Sequence, residues 1–453
     1  MPLLDFPKDM YELRPGEKPI YGEFPDLKKC IQWFKGLMSA DDWVKRRDAV
    51  AKRFYQSLVG ELDDPSGVGR IFDDRDMFGW YLFLGEAFTD HPWNYEVVFG
   101  SRVVPVFAAI GRNLTLLLQI DGFTERARRL IGSEKSQPNG ALFEMLVAAA
   151  YARAGARVTF RPELPGQART YDLDVELNGD GWAVECKRME TGDYVEMERT
   201  RMRTLWVPAS RALVDTQRSS LLKVDFKVEL SDVCENYLFE KAKTFAKSKR
   251  VSLSWEDSTS AGIIYEMDMR PIQDALSLNL WLYPSPQFDE KLTGSYHRYQ
   301  SSLALLKVKP AKNPHFIDEL DLAVVARWKC LSDVAIEKRA RQILAKLVEA
   351  DNQLPSEKSG VIHIGFESLG DDAVEQRRYE KIIATAGSFK SRKELRYIYC
   401  HYFAPEASPT ETWAFDETVQ WLGIKPTGKP LDTGMLVAPD DQAGRAGVHW
   451  IRH

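Results

Sequence analysis

The chain has 453 residues, 44% of them apolar and 11% aromatic, with a net charge of −5. That is enough material for two or three domains with substantial cores, and it excludes both a disordered chain and a protein that coats nucleic acid by bulk positive charge. Its five cysteines, Cys30, Cys186, Cys234, Cys330 and Cys400, are scattered without a CxxC pair, which argues against a structural zinc site and a disulfide framework and fits a reducing cytoplasm.

The first 25 residues are Pro-rich and read as irregular. MPLLDFPKDM has neither the basic region nor the apolar run of a signal peptide. From Asp26 to Leu62 the apolar spacing is helical, with the residues before Asp42 as a cap. DDPSGVGRIFDDRD (63–76) reads as a loop. Trp80, Tyr81 and Phe83 follow in a dense aromatic stretch, expected to be core. The longest apolar run, Val103 to Ile120, is interrupted by Arg112 and Asn113 and is too short to span a membrane. Residues 1–135 are therefore expected to form a mostly helical region.

The stretch from Asn139 to Arg188 carries the chemistry. Leu142, Leu146, Ala149 and Ala150 fall at helical spacing between a capping Asn139 and a terminating Gly155. Glu144 is the odd residue on this helix, since Val147, Ala148 and Tyr151 make its surroundings apolar. A carboxylate there needs a cationic partner. YDLDVEL and WAVECKR then alternate as strands around the turn NGDG. A four-residue loop (178–181) would pair Leu177 with Trp182, setting Asp174 across from Glu185 and Asp172 across from Lys187. Trp182, Val184 and Cys186 share the opposite face.

A helix-borne Glu144, an Asp172 opening the second strand, and Glu185-Cys186-Lys187 on the third resemble the PD-(D/E)XK nuclease superfamily. The resemblance covers about fifty residues, and it departs from the family at the name-giving proline, where Tyr171 stands. Asp174 is a rival to Asp172 for the metal. The resemblance implies an α/β protein with a restriction-endonuclease-like mixed sheet core flanked by helices over residues 136–230. It also implies a Mg²⁺ (or Mn²⁺) ion held by Asp172, Glu185 and the Cys186 carbonyl. Glu144 would hold a second ion or a metal-bound water, with a buried salt bridge as its alternative. Lys187 would orient the attacking water and help deprotonate it. Hard cations on carboxylate oxygens suit this reaction because they absorb the charge that builds on an already anionic phosphate. Without the reaction, the same triplet would be a solvated strand face with a cross-strand ion pair.

Beyond the triplet, MERTRMRTLWVPASRALVDTQRSS carries Arg199, Arg201, Arg203, Arg211 and Arg218 with few acids close by, and Arg188 stands ahead of it as a further candidate nucleic-acid contact. A helix carrying them can meet DNA phosphates or present a plain solvated face. Residues 221–230 read as a strand, 234–249 as a helix and 250–257 as a strand. Residues 261–330 mix strands with Pro-rich loops such as LYPSPQF. One amphipathic helix is expected over 333–351, then the strand VIHIGFES, the helix DDAVEQRRYEKIIATA and the strand ELRYIYCHYF. Residues 231–453 thus form either a second α/β domain or the continuation of the core sheet with 231–330 inserted. After Gly423 the chain reads as irregular.

Other motifs are weaker. GIKPTGKP (423–430) ends in Pro430 where a phosphate-binding loop needs Ser or Thr. Cys400, His401 and His363 sit in predicted strands and read as core residues. The expected function is a metal-dependent nuclease acting on DNA, of bacterial defence or repair type by resemblance. RNA is the weaker substrate. The alternative is a nucleic-acid-binding module that keeps the fold and cuts nothing. No membrane partner is expected, and the acidic net charge leaves room for a homodimer or a partner subunit that brings the substrate.

Overall fold

The structure is a computed structural model that describes residues 8–13, 21–58, 71–162, 170–248, 250–298, 301–368, 370–426, 428–432, 434–438 and 448–450. Most of the loop expected over 63–76 falls outside them.

Helices come first: α1 (Pro25–Gly36), α2 (Ala40–Leu58), α3 (Met77–Asp90), α4 (Val97–Arg112), α5 (Leu114–Leu117), α6 (Phe123–Ile131) and α7 (Asn139–Arg153). Ser39 caps α2 by accepting the Asp42 N–H at 3.1 Å. Trp80 and Phe83 are fully buried, as their apolar setting predicts. Gly111 on α4 lets α1 approach so closely that a β-carbon there would stand 1.8 Å from the Asp26 carbonyl oxygen.

Next come β1 (Arg157–Phe160), β2 (Leu173–Leu177), β3 (Asp180–Met189), α8 (Asp193–Val214), β4 (Ser220–Phe226), α9 (Tyr237–Lys247), β5 (Ser252–Glu256), β6 (Ser260–Glu266) and α10 (Arg270–Leu278). The chain continues through β7 (Trp281–Leu282), α11 (Pro286–Thr293), β8 (Ser301–Pro310), β9 (Phe316–Cys330), α12 (Asp333–Arg339) and α13 (Leu344–Gln353). It closes with β10 (Ser359–Glu367), α14 (Asp372–Ser388), β11 (Leu395–Glu406) and β12 (Ala414–Gly423). The single helix expected over 333–351 is two. Ala340 leaves helical geometry with ψ 66°, and its carbonyl accepts from the Lys381 ammonium at 2.9 Å.

These strands form two mixed sheets. The first runs β1-β2-β3-β10-β11-β12, and the second β5-β6-β4-β9-β7 with β8 paired to β9. In the first, β1, β2 and β3 are antiparallel neighbours, β3, β10 and β11 are parallel, and β12 turns back along β11. Residues 359–423 therefore continue the sheet of the hairpin, and the chain builds the second sheet between β3 and β10. The strand over 220–226, grouped with the hairpin on sequence grounds, belongs to that second sheet. β12 has no counterpart in the sequence reading, because AFDETVQWLG mixes charges into both of its faces.

The layers follow from the apolar alternation. Leu173, Val175, Trp182, Val184 and Cys186 share a core with the N-terminal helices, including Phe34, Phe107 and Leu142. The other face of the first sheet, with Ile362 and Ile364, packs on Leu347 of α13 and Ile382 of α14. The second sheet is sandwiched between α8 and α9 on one side and α10 and α11 on the other. Among the described residues no helix is long and apolar enough to cross a membrane.

Candidate active site

The hairpin turn has two residues, not four. Asn178 and Gly179 both adopt positive φ, 54° and 88°, so Leu177 pairs with Asp180 and Leu173 with Val184. This is the tight turn that Asn-Gly favours, because its twist matches that of the flanking strands. The register differs from the expected one, and the difference is chemical. Asp172 now falls beside Glu185 instead of across from Lys187, and the Asp172 N–H donates to the Val184 carbonyl at 3.1 Å.

Pairing between β2 and β3 stops at Leu173, which leaves the edge of β3 beyond Val184 open on that side. Asp172 fills part of the gap. Its Oδ2 accepts the Cys186 N–H at 2.7 Å. The N–H and C=O of one strand residue leave on the same side, so the Cys186 carbonyl is directed toward the same gap.

Glu185 is buried to 1% exposure. Its Oε1 accepts from the Lys187 ammonium at 2.7 Å. Its Oε2 is buried and takes no hydrogen bond from a neighbouring N–H, and the Asp172 carboxyl lies within hydrogen-bonding reach of Glu185. A buried carboxyl against a half-buried one is not readily ionised together with it unless a proton or a cation lies between them. Burial raises the Asp172 pKa well above the carboxylate range, and Glu144 and Glu185 raise it further. Burial likewise pushes Glu185 up to about 7, against the lowering pull of Lys187.

Lys187 is gripped from the far side. Beyond Glu185 it donates to Gln353 at 2.7 Å and pairs with Glu349 at 3.1 Å, both on α13. Burial works against its charge, yet Glu185 and Glu349 outweigh burial and hold its pKa above the ordinary lysine value. It stands here as an ammonium donor.

Glu144 lies near enough to raise both Asp172 and Glu185, but its oxygens are taken. Arg126 of α6 holds it in a two-pronged bridge, Nε to Oε2 at 2.5 Å and Nη2 to Oε1 at 2.8 Å, while also contacting Glu134. This is the cationic partner its apolar setting required. Asp174 is not part of the site. It accepts from Lys358 at 2.6 Å, from the Tyr171 hydroxyl at 2.9 Å and from Arg161 at 3.1 Å. Asn139 does not cap α7. Its side chain bonds the Tyr81 hydroxyl and Glu190.

The arginines divide. Arg201 donates to the Leu230 and Val233 carbonyls, at 3.3 and 2.5 Å, so it braces a loop and is not displayed for phosphate. Arg199 pairs with Glu196 at 2.7 Å at the surface. Arg203 is half-buried on α8. Arg188 lies over the Phe403 ring at 5.1 Å, 3.6 Å from Glu367, with its Nη1 buried and without an acceptor. His363 and His401 are wholly buried, linked Nδ1 to Nε2 at 2.9 Å, and burial lowers both pKa values. They are core residues.

Sequence reasoning missed Arg126, Glu349, Gln353 and Lys358. The unmatched Glu144 signalled that a cation was needed but could not say which one. Nothing in the spacing of α13 showed that it would cross β3.

The donor set fits a hard divalent cation. Asp172 and Glu185 present carboxyl oxygens, one of them lacking any donor, beside a backbone carbonyl. Among the described residues, no three His, Cys, Asp or Glu side chains gather closely enough to hold a metal by themselves. The side chains on offer are therefore the two carboxyls, with Glu144 engaged by Arg126. Comparison with family models, curated proteins and solved structures gives no match.

Proposed function

We propose that the protein is a metal-dependent nuclease of the restriction-endonuclease-like type, hydrolysing phosphodiester bonds in DNA. The observation that carries this reading is the buried Glu185 carboxyl, with one oxygen that takes no hydrogen bond, against the half-buried Asp172 and beside a lysine held as an ammonium. A structural ion pair has no use for a second carboxyl pressed against the first, since that arrangement costs stability unless a cation arrives.

Asp172, Glu185 and the Cys186 carbonyl would hold Mg²⁺ or Mn²⁺, which supplies charge neutralisation and an activated water at the phosphate. Were Glu185 to turn to the cation, the Lys187 N–H that it now accepts would be free for a phosphate oxygen and would stabilise the extra negative charge of the pentavalent phosphorus. Glu349 and Gln353 fix its ammonium in position, so that little reorganisation is needed when charge develops. Glu144, bridged by Arg126, lies close enough to raise Asp172 and so favours a cation at the pair. Glu185, being buried, is kept from bulk water, which strengthens its interactions.

The test is incubation with supercoiled plasmid, linear duplex and single strands in Mg²⁺, Mn²⁺ or EDTA, beside a Lys187→Ala protein. Cleavage that needs the cation and disappears in Lys187→Ala supports the reading. Cleavage at the wild-type rate by Lys187→Ala removes it.

A further inference from the structure

Three carboxyls gather around the gap beside β3, and they differ in what neutralises them. Glu185 has the Lys187 ammonium at 2.7 Å, which it shares with Glu349 at 3.1 Å. Asp172 accepts the Cys186 N–H at 2.7 Å and, among the described residues, forms no ion pair. Glu144 alone of the three has a cation to itself on this side of the site, and both of its oxygens are on it. Arg126 Nε meets Oε2 at 2.5 Å and Nη2 meets Oε1 at 2.8 Å.

This bridge is built to stay. The two side chains are 10% and 12% exposed, so breaking the pair strands a charge where water can hardly reach it. The guanidinium is kept from swinging away, because its Nη1 is on Glu134 at the same time and Arg129 holds Glu134 in turn. Burial works against the Arg126 charge, but Glu144 and Glu134 outweigh it and raise its pKa above the ordinary arginine value.

Hydrogen bonding by itself does not close Glu144 to a metal, since each carboxylate oxygen keeps a second lone pair. Charge does. A divalent ion about 2.1 Å from either oxygen would stand within about 5 Å of a guanidinium nitrogen, with one carboxylate to share between a dication and a fixed monocation. At Asp172 and Glu185 the balance is the reverse: Glu349 offsets Lys187, which leaves two carboxyls for a single ion.

We infer that the site takes one divalent cation per chain, on Asp172 and Glu185, and that Arg126 brings Glu144 the positive charge a second ion would otherwise supply. The inference rests on the nuclease reading for what the site is, and it assigns Arg126 as the residue that sets the ion count.

Full-length protein at pH 8 is titrated calorimetrically with Mn²⁺, beside Arg126→Gln, the double variant Arg126→Gln/Glu144→Gln and Asp172→Asn, with circular dichroism to check folding. The expected result is one Mn²⁺ per chain in wild type and two in Arg126→Gln, where Glu144 is set free. The double variant should bind one, with affinity within about threefold of wild type, because both buried charges leave together. In Asp172→Asn affinity should fall at least about tenfold. Two ions in wild type overturn the inference. So does an affinity loss of about tenfold in the double variant, which decides the matter even if Arg126→Gln fails to fold. A single ion in folded Arg126→Gln, or wild-type affinity in Asp172→Asn, overturns it as well. Because ions are counted without substrate, a protein that binds one Mn²⁺ and cuts nothing keeps the ion count and loses the nuclease reading. One that cuts with two ions bound does the reverse, and one that binds no Mn²⁺ loses both.

Discussion

Asp172 occupies, through its side chain, the hydrogen-bonding position on Cys186 that another β2 residue would fill if the strand continued: Oδ2 takes the Cys186 N–H at 2.7 Å. The carboxylate is thereby both a piece of backbone pairing and a candidate ligand. Asp172→Asn keeps the shape and an acceptor oxygen, and its amide N–H₂ can serve the donor-less Glu185 Oε2. This variant should fold as well as wild type, be the more stable of the two at pH 8 in EDTA, and lose cleavage. Asp172→Ala strands a buried N–H and should cost about 1–3 kcal/mol. Chemical denaturation of both variants, with and without Mn²⁺, checks the pair of expectations.

The raised Glu185 fixes a sign for the pH dependence. A carboxyl whose pKa is higher folded than unfolded contributes stability below its unfolded value and loses it as pH rises through the folded one. For Glu185 that window runs from the ordinary 4.5 to about 7. Metal-free protein should lose this contribution across that interval, and Glu185→Gln should flatten the slope. Since the bound cation displaces the proton, Mn²⁺ affinity should rise through the same interval and binding should release protons. Calorimetry in buffers of different ionisation enthalpy counts them. A slope unchanged by Glu185→Gln would place the titration elsewhere.

Arg126 binds Glu144 while only a tenth of its own side chain is exposed. Breaking a buried pair from one side leaves an uncompensated charge, at about 3–5 kcal/mol. Arg126→Ala should therefore be destabilised by about that much in EDTA. Mn²⁺ should restore part of the loss, because the freed Glu144 can turn to the cation. Thermal melts across a Mn²⁺ titration, compared with wild type, read this directly. Equal metal-dependent shifts in both proteins would separate Glu144 from the site.

Gly111 is a purely architectural test. With a β-carbon 1.8 Å from the Asp26 carbonyl oxygen, Gly111→Ala must push α1 off α4. The loss should be about 1–3 kcal/mol or more, as for other overpacked contacts. Urea unfolding measures it, and cleavage by the folded fraction should be unaffected.

The sequence exposed these features unevenly, for physical reasons. Alternation in YDLDVEL and WAVECKR is a local signal, so the strands and the inward face of Trp182, Val184 and Cys186 were readable. The register error came from granting Asp180 and Gly181 to the turn when Asn178-Gly179 alone meets the demand for two positive φ angles. That signal was present and underused. Asp174 was undecidable locally, since what removes it from the site is Lys358, distant in sequence. The grip of Glu349 and Gln353 on Lys187 is likewise a long-range fact. The break at Ala340 has no Gly or Pro to announce it. Arg201 looked like a phosphate contact because its true acceptors are main-chain carbonyls, which no residue pattern reveals.

The parallel partner of β3 is β10, and residues 190–358 lie between them. During synthesis the Glu185-Cys186-Lys187 strand is therefore made long before its neighbour, and before α13, which steadies the lysine. Until β10 inserts, one edge of that strand stays unpaired and the ammonium stays mobile. The proposed cutting centre is therefore complete only once residues 359–367 have been made and paired with it, so that a copy stopped short of them would lack it.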